Sequence, residues 1–415
     1  MADRVIAHSQ PIASSRNGLL AKHVVSYQAF LEERRYAPRT RHTYLCCVAH
    51  LSHWMASVGL SGRQIGEAAI DRYLGEHLPR CKCPRRVRRY HNINQAAMTL
   101  FLEALREAGE VAPREASDRI SRELRHFDVF MTDVKGLAAS TRRLRLRHIG
   151  RFLRDRFGSK PIVVQQIKPA HLRHFMFVRH KGLSAGGLQP IAGALRGYLQ
   201  FRATLGETVQ HLTFAVLTVA NRRLSTLPRV LSETDIQRLL QSFDPSAPSG
   251  KRAYAMARCL IDLGLRAQDV VGLHLEDIDW QNGTIRLAAN KARRTDVLPL
   301  PMETGRAIAA YLRTERPATT NRAVFVRHVA PYDEPIGPGV VRNVMIAAFR
   351  RCGWSHWHVH ILRHSTASRL LAAGTPLKEI ADILRHRRLD TTAIYTKVDT
   401  NRLAAVALPW PGRAA

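Results

Sequence analysis

The sequence predicts a mostly α-helical protein with one small antiparallel β-sheet: two helical domains, then a mixed α+β domain. Three observations carry this. Over roughly the first 225 residues, apolar side chains recur at spacings of three and four, the period of an amphipathic helix. That pattern breaks at RRLSTLPRVLSETD, which starts at Arg222. Beyond it, DIDWQNGTIRLAANKARRTDVLPL, from Asp277 to Leu300, alternates with the period of strands.

A chain of 415 residues has room for two or three domains, and 45% hydrophobic residues suffice for their cores. The charge is unusual. Lys plus Arg number 64 against 33 Asp plus Glu, a formal net charge of +31. Such an excess favours a polyanion, because each phosphate neutralised by Lys or Arg releases a counterion. Nucleic acid fits this. No apolar run reaches membrane-spanning length, and no basic amphipathic anchor stands out. The N-terminal stretch MADRVIAHSQPIASSRNG lacks a signal-peptide core, so a cytoplasmic protein is expected. Six cysteines in this length argue against a disulfide framework. Cys81 and Cys83 form a C-x-C with His77 and His91 nearby, but zinc sites usually offer two clear ligand pairs. The stretch therefore reads as a basic turn with two reduced thiols.

The helical half repeats itself. FLEERRYAPRTRHTYLCCVAHLSHW from Phe30 matches FMTDVKGLAASTRRLRLRHIGRFL from Phe130. IGEAAIDRYLGEHL from Ile65 matches IKPAHLRHFMFVRH from Ile167. AAMTLFLEALREAGE, ending at Glu110, matches GALRGYLQFRATLGE, ending at Glu207. The first copy carries an additional basic stretch, PRCKCPRRVRRYHN. Arginines line the polar helix faces, as in STRRLRLRHIGRFLRDRF. A solvated face would explain them, but with this net charge some are read as phosphate contacts, which position a protein without reading sequence.

The division expected is a tail over 1–24, helical domains over 25–112 and 118–225, a linker over 226–231, the mixed domain over 232–400 and a tail over 401–415. Ser232, with Asp235 three residues on, predicts a helix N-cap. Asn282-Gly283 predicts a type I′ hairpin between DIDW and TIRL, and TDVLPL a third strand. Thr375-Pro376 opens a further helix as cap and first residue. The last residues, LAAVALPWPGRAA, are too apolar for a solvating tail and suggest docking on this subunit or another.

Six residues of the mixed domain suit one chemistry. Arg266 follows a helix break at Gly264, with Asp269 three residues on; alone, the two read as a surface ion pair. Lys291 lies between two strands, where a lysine is usually solvated. His360 and Arg363 share a face at a helix entry, with His364 next to Arg363. His386 precedes Tyr395 by nine residues, and most tyrosines simply pack. Together they fit metal-free displacement at a phosphodiester. Arginine forks match phosphate oxygens, Lys or His protonates the leaving oxygen, and a tyrosine hydroxyl conserves the bond energy covalently. No acidic metal cluster or phosphate-cradling Gly-rich loop is evident.

In order and spacing, GLRAQDVVGL, the lysine after a strand, HILRHSTASRLLAAG and HRRLDTTAIYTKV resemble the tyrosine recombinase, or phage integrase, family. The resemblance is strong over roughly 229–400 and looser over 118–225, which is similar to the family's helical SAM-like core-binding domain. Residues 25–110 look like an additional domain of that kind. The resemblance implies a site-specific recombinase of Xer type, from a mobile element, working on double-stranded DNA at the bacterial nucleoid. Arg266 and Arg363 would clamp the scissile phosphate and Lys291 would protonate the leaving 5′ oxygen. His360 would assist proton transfer, His386 would bond the phosphate, Asp269 would support Arg266, and Tyr395 would attack to leave a 3′-phosphotyrosine. It further implies no cofactor, nucleotide or metal for the reaction, a homo-tetramer on paired DNA sites, and accessory proteins or partner recombinases in some systems. A type IB topoisomerase would use related residues as a monomer, and a non-catalytic DNA binder would fit the charge but has no need of Tyr395. Two departures stand out. Arg385 occupies a position where the family usually has Gly, and is read as a solvated side chain; the loop ANKARR lacks the usual glycines, so Lys291 is placed by counting back from LPL.

Overall fold

The computed structural model describes residues 18–81, 83, 91–111, 119–158, 160–217, 228–287, 296–355, 357–386, 392 and 394–395. Lys291, residues 226–227 of the 226–231 linker and the 401–415 tail lie outside them. The chain forms two compact units: Met1–Pro113 with Leu227–Ala415, and Arg114–Thr226.

The duplicated sequence folds as a duplicated succession of elements. The first copy runs α1 (Ala21–Glu33), α2 (Pro38–Ser57), a 3-10 turn, α3 (Glu67–Arg72) with a π-turn to His77, then α4 (His91–Glu107). The second runs α5 (Arg119–Val129) with a π-turn to Val134, α6 (Ala139–Phe157), a 3-10 turn, α7 (Pro169–Arg173) with a π-turn to Val178, then α8 (Ala185–Thr204), followed by α9 (Gln210–Ala215). Buried positions correspond. Tyr27, Phe30 and Leu31 answer Phe127, Phe130 and Met131, and Phe101 and Leu102 answer Tyr198 and Leu199. Each copy closes its own core, because an amphipathic helix must bury its apolar stripe against a neighbour. On α6 the buried stripe is Ile149, Phe152, Leu153 and Phe157, while Arg143, Arg147, Arg151 and Arg154 face solvent.

The remaining elements build the third core. Helix α10 (Glu233–Gln241) starts where predicted: the Ser232 hydroxyl accepts from the Asp235 amide at 3.1 Å, a cap that stabilises a helix by about 1 kcal/mol. Its buried Ile236, Leu239 and Leu240 have helical spacing. Helices α11 (Gly250–Asp262) and α12 (Ala267–Val271) follow, then β1 (Ile278–Asp279), β2 (Thr284–Leu287) and β3 (Asp296–Pro299), an antiparallel sheet in the order β1-β2-β3. Helices α13 (Met302–Thr314), α14 (Pro338–Arg351), α15 (His360–Ala372) and α16 (Leu377–Ile383) complete the domain.

Two local expectations are corrected. The first hairpin is not a two-residue type I′ turn: Asp279 pairs with Thr284 across four residues, and of Asn282 and Gly283 only the glycine has positive φ, at 60°. The Asp279 carboxylate accepts from the Gln281 and Asn282 amides and holds the longer loop. Helix α16 begins one residue later than expected, with Pro376 at its N-cap and no side-chain cap from Thr375.

Candidate active site

The site is assembled by the ends of α12, α15 and α16. Gly264, at φ 61°, turns the chain out of α11. A Cβ there would lie 2.7 Å from Leu384 Cδ2 and 3.3 Å from Thr366 Cγ2, so the turn needs both the left-handed backbone and the missing side chain. Arg266 then caps α12. Its backbone N–H donates to Asp269 Oδ2 at 3.0 Å, and its guanidinium lies 3.9 Å from the same oxygen. Asp269 is buried, and so fixes both the backbone and the side chain of Arg266.

Arg363, on the first turn of α15, is buried. Its guanidinium donates to Gly264 O at 2.6 Å and, in a very short contact, to Leu384 O. It therefore ties the turn before Arg266 to the segment before His386. Thr366 Oγ1 and Arg369 add bonds to Ile261 O at 2.8 and 2.6 Å, which fix α15 against the end of α11. Burial, and then the neighbouring Arg266, push the Arg363 guanidinium down to about 9. A buried cation beside a second cation favours an anion between them.

His360 opens α15 and is exposed. Desolvation, His358 and the two guanidiniums hold its ring below the usual histidine range. His386 Nδ1 lies 2.8 Å from Thr392 Oγ1, and desolvation, Arg363 and Arg266 push the imidazole down to about 3.

Tyr395 is 1% exposed and packs with Ala367, Leu371, Ile380 and Leu384. Its hydroxyl meets His364 Nδ1 at 2.8 Å. Burial raises its phenol, while Arg363 and Arg266 pull in the opposite direction. His364 is the residue for which sequence reasoning found no role. Its signal was the H-x-x-R-H order: His364 is one residue past Arg363, and four past His360. Desolvation and the neighbouring His360 push it down to about 4, so the nitrogen facing Tyr395 belongs to a neutral ring near neutral pH.

Arg385 is not a solvated side chain. It is 7% exposed, with Nε donating to Asp296 Oδ2 at 2.7 Å and NH1 3.5 Å from Asp269 Oδ1. Its φ is 53°, because it sits just past the end of α16. The His386 amide reaches back to Ala381 O at 2.8 Å and the Arg385 amide to Asp382 O at 2.9 Å, which closes the helix in the manner usual for a glycine. Asp269 thus serves two arginines. Of the residues singled out in the sequence, Arg266, Asp269, Arg363, His386 and Tyr395 are linked by bonds or shared neighbours here, and His360 stands at the rim. The arrangement can hold an anion between guanidiniums, with an aromatic hydroxyl and neutral imidazoles beside it.

The phage integrase family matches residues 229–402. A Sinorhizobium fredii protein named "Putative integrase/recombinase y4rA" is 33% identical over 404 residues, 96% of each chain. Tyrosine recombinase XerD of Listeria innocua is 28% identical, covering 69% of this chain and 97% of its own. Among solved structures, XerH site-specific recombinase bound to a palindromic difH substrate in a post-cleavage complex has a TM-score of 0.51 at 17% identity, covering 88% of this chain and 95% of that one. A lambda integrase (75-356) dimer bound to a COC′ core site has a TM-score of 0.50 at 15% identity, covering 65% and 95%. These structural likenesses speak to the fold, which is mostly helical with a small antiparallel sheet.

Proposed function

Because the chain belongs to the phage integrase family, and is a site-specific DNA recombinase that cuts and rejoins strands, we propose that Tyr395 is its nucleophile and that Arg266 and Arg363 hold the scissile phosphate. The Tyr395 oxygen attacks phosphorus as the bond to the 5′ oxygen breaks. A 3′-phosphotyrosine and a free 5′-hydroxyl result, and the energy of the broken bond is kept for rejoining. His364, neutral and 2.8 Å from the phenol, takes its proton, and His360 relays it at the solvent edge. With Nδ1 of His386 accepting from the Thr392 hydroxyl, its Nε2–H donates to a phosphate oxygen. Lys291, placed from the sequence alone, protonates the leaving oxygen. Asp269 positions Arg266, and Arg385 shares that carboxylate.

The observation that carries this reading is the pair of hydrogen bonds that Arg363 donates to Gly264 O and Leu384 O, since it joins the two segments that bear Arg266 and His386. The arginine stripe on α6 supports 118–225 as a core-binding domain, and the repeated fold supports 25–112 as an additional DNA-binding domain of the same sort. The working assembly is a homo-tetramer on two DNA sites of a mobile element, with the 401–415 tail docked on a neighbouring subunit, in the bacterial cytoplasm. No described helix is long and apolar enough to cross a membrane. The test is a suicide DNA substrate taken from the ends of the element. Wild type forms a covalent adduct on a denaturing gel and Tyr395→Phe forms none; an adduct with Tyr395→Phe overturns the assignment.

A further inference from the structure

We propose that the first helical repeat holds a structural zinc ion on His50, His77, Cys81 and Cys83. The sequence suggested His77 and His91 as the histidines near the C-x-C, but folding brings in His50 from α2 instead. The four ligand atoms lie within 4.8 Å of one another. His50 Nε2 is 3.3 Å from His77 Nε2 and 3.2 Å from Cys81 Sγ, and Cys83 Sγ is 3.6 Å from His77 Nε2. Tetrahedral zinc, with bonds of about 2.0–2.1 Å to nitrogen and 2.3 Å to sulfur, separates its ligand atoms by roughly 3.3–3.8 Å. The contacts match that spacing.

Hydrogen bonding among neutral groups accounts for the cluster less well. Tyr73 donates its hydroxyl proton to Asn94 Oδ1 at 3.3 Å, so it accepts from His50 Nδ1–H at 2.8 Å. His50 Nε2 is then left with one lone pair, and both His77 and Cys81 converge on it. A single cation at the centre satisfies all of them. The Tyr73 contact is also what a ligating imidazole ordinarily needs, a partner on its other nitrogen that fixes tautomer and ring direction. The Cys83 backbone N–H points at Cys81 Sγ from 3.4 Å and fixes the direction of that sulfur. Binding releases two thiol protons, and two thiolates balance the charge of the ion.

The repeat supplies a second, independent argument. Tyr73 corresponds to Phe175, 102 residues on, but Ala97 corresponds to Ala194, only 97 on, so the first copy carries five extra residues between these points. Cys81 and Cys83 fall in that interval, and in sequence they open the run that includes Arg85, Arg86, Arg88 and Arg89. At the position matching His77, the second copy has Arg179, paired to Asp155 at 2.8 Å. The ligands therefore accompany the insertion and pin it to α2.

The test uses the untagged full-length chain, purified under reducing conditions. Wild type should contain one zinc per chain. The Cys81→Ser/Cys83→Ser double variant should contain none, while Cys46→Ser should keep it. Cobalt substitution should give the intense visible bands of a tetrahedral site, with thiolate-to-metal charge transfer from two sulfurs. Zinc retained by the double variant overturns the proposal. So does a helical wild type that takes up no zinc or cobalt. Should the double variant fail to fold, the cobalt spectrum of wild type decides alone: octahedral bands, or no sulfur charge transfer, overturn it.

Discussion

The Tyr395 hydroxyl is held at 2.8 Å by His364 Nδ1, and not by His360 or His386, the two histidines whose spacing suggested a role. The ring is buried among Ala367, Leu371, Ile380 and Leu384. The proposed nucleophile is thus packed and hydrogen-bonded before DNA arrives, by the histidine next to the buried Arg363.

His364→Ala should therefore slow adduct formation by about 10²-fold in single turnover, the usual scale for a positioned general base. The loss should shrink at high pH, where the phenol ionises unaided. Tyr395→Phe should remove the adduct entirely yet alter stability by only about 1 kcal/mol, the net worth of a typical hydrogen bond. Rapid-quench kinetics on a suicide site measure the first. An unchanged rate in His364→Ala would remove His364 from the chemistry.

Much of the site could be read from the sequence because its members are ordered along the chain with fixed local spacings. Arg266 and Asp269 sit one helical turn apart across an N-cap, and His360 and Arg363 sit one turn apart within α15. What could not be read depends on contacts far apart in the chain. His364 and Tyr395 are 31 residues apart, and nothing local distinguishes His364 from a helix-face histidine. His50 is 31 residues from Cys81, too distant for a ligand-spacing motif. The fold class follows from periodicity, whereas Asn282-Gly283 misled because Asp279 holds a longer loop than that dipeptide usually closes.

Arg385 combines a cost and a gain. An L-residue in the left-handed region costs roughly 1–2 kcal/mol, and the ion pairs with Asp269 and Asp296 offset it. Arg385→Gly loses the pairs but also the strain, so its stability should stay within about 1 kcal/mol of wild type. Arg385→Ala loses the pairs and keeps the strain, and should be the less stable of the two by about 1 kcal/mol. Chemical denaturation of all three proteins checks the order. Equal stability of the glycine and alanine variants would show that backbone strain does not matter at this position.

The exposed arginines Arg143, Arg147, Arg151 and Arg154 recur along one side of α6. If they meet DNA phosphates, each should contribute about 0.9 to the slope of log affinity against log salt. The Arg147→Gln/Arg151→Gln variant should reduce that slope by roughly 2 and weaken binding to specific and random duplexes alike. Titration of a labelled duplex at several salt concentrations measures this. A variant with the wild-type slope would place these side chains in solvent.

Acid should destabilise the folded chain through its neutral histidines. His364 and His328 are pushed down to about 4 and His386 to about 3, in each case by desolvation first and then by neighbouring positive groups. Unfolded, each titrates near 6.5. Between those values the unfolded chain binds more protons than the folded one, so stability rises with pH across the window. The stabilisation is complete above about 6.5 and is lost as pH falls toward 4. The melting temperature should therefore drop steadily from about pH 7 to pH 5, and His386→Asn should flatten the decline by removing one of the groups. A phosphate beside His386 stabilises its charged form, so bound site DNA should also flatten it and be taken up together with protons. Melting curves across this range, with and without site DNA and at constant ionic strength, measure both effects. A melting temperature that holds or rises on acidification would contradict the neutral histidines on which the proposed proton transfers depend.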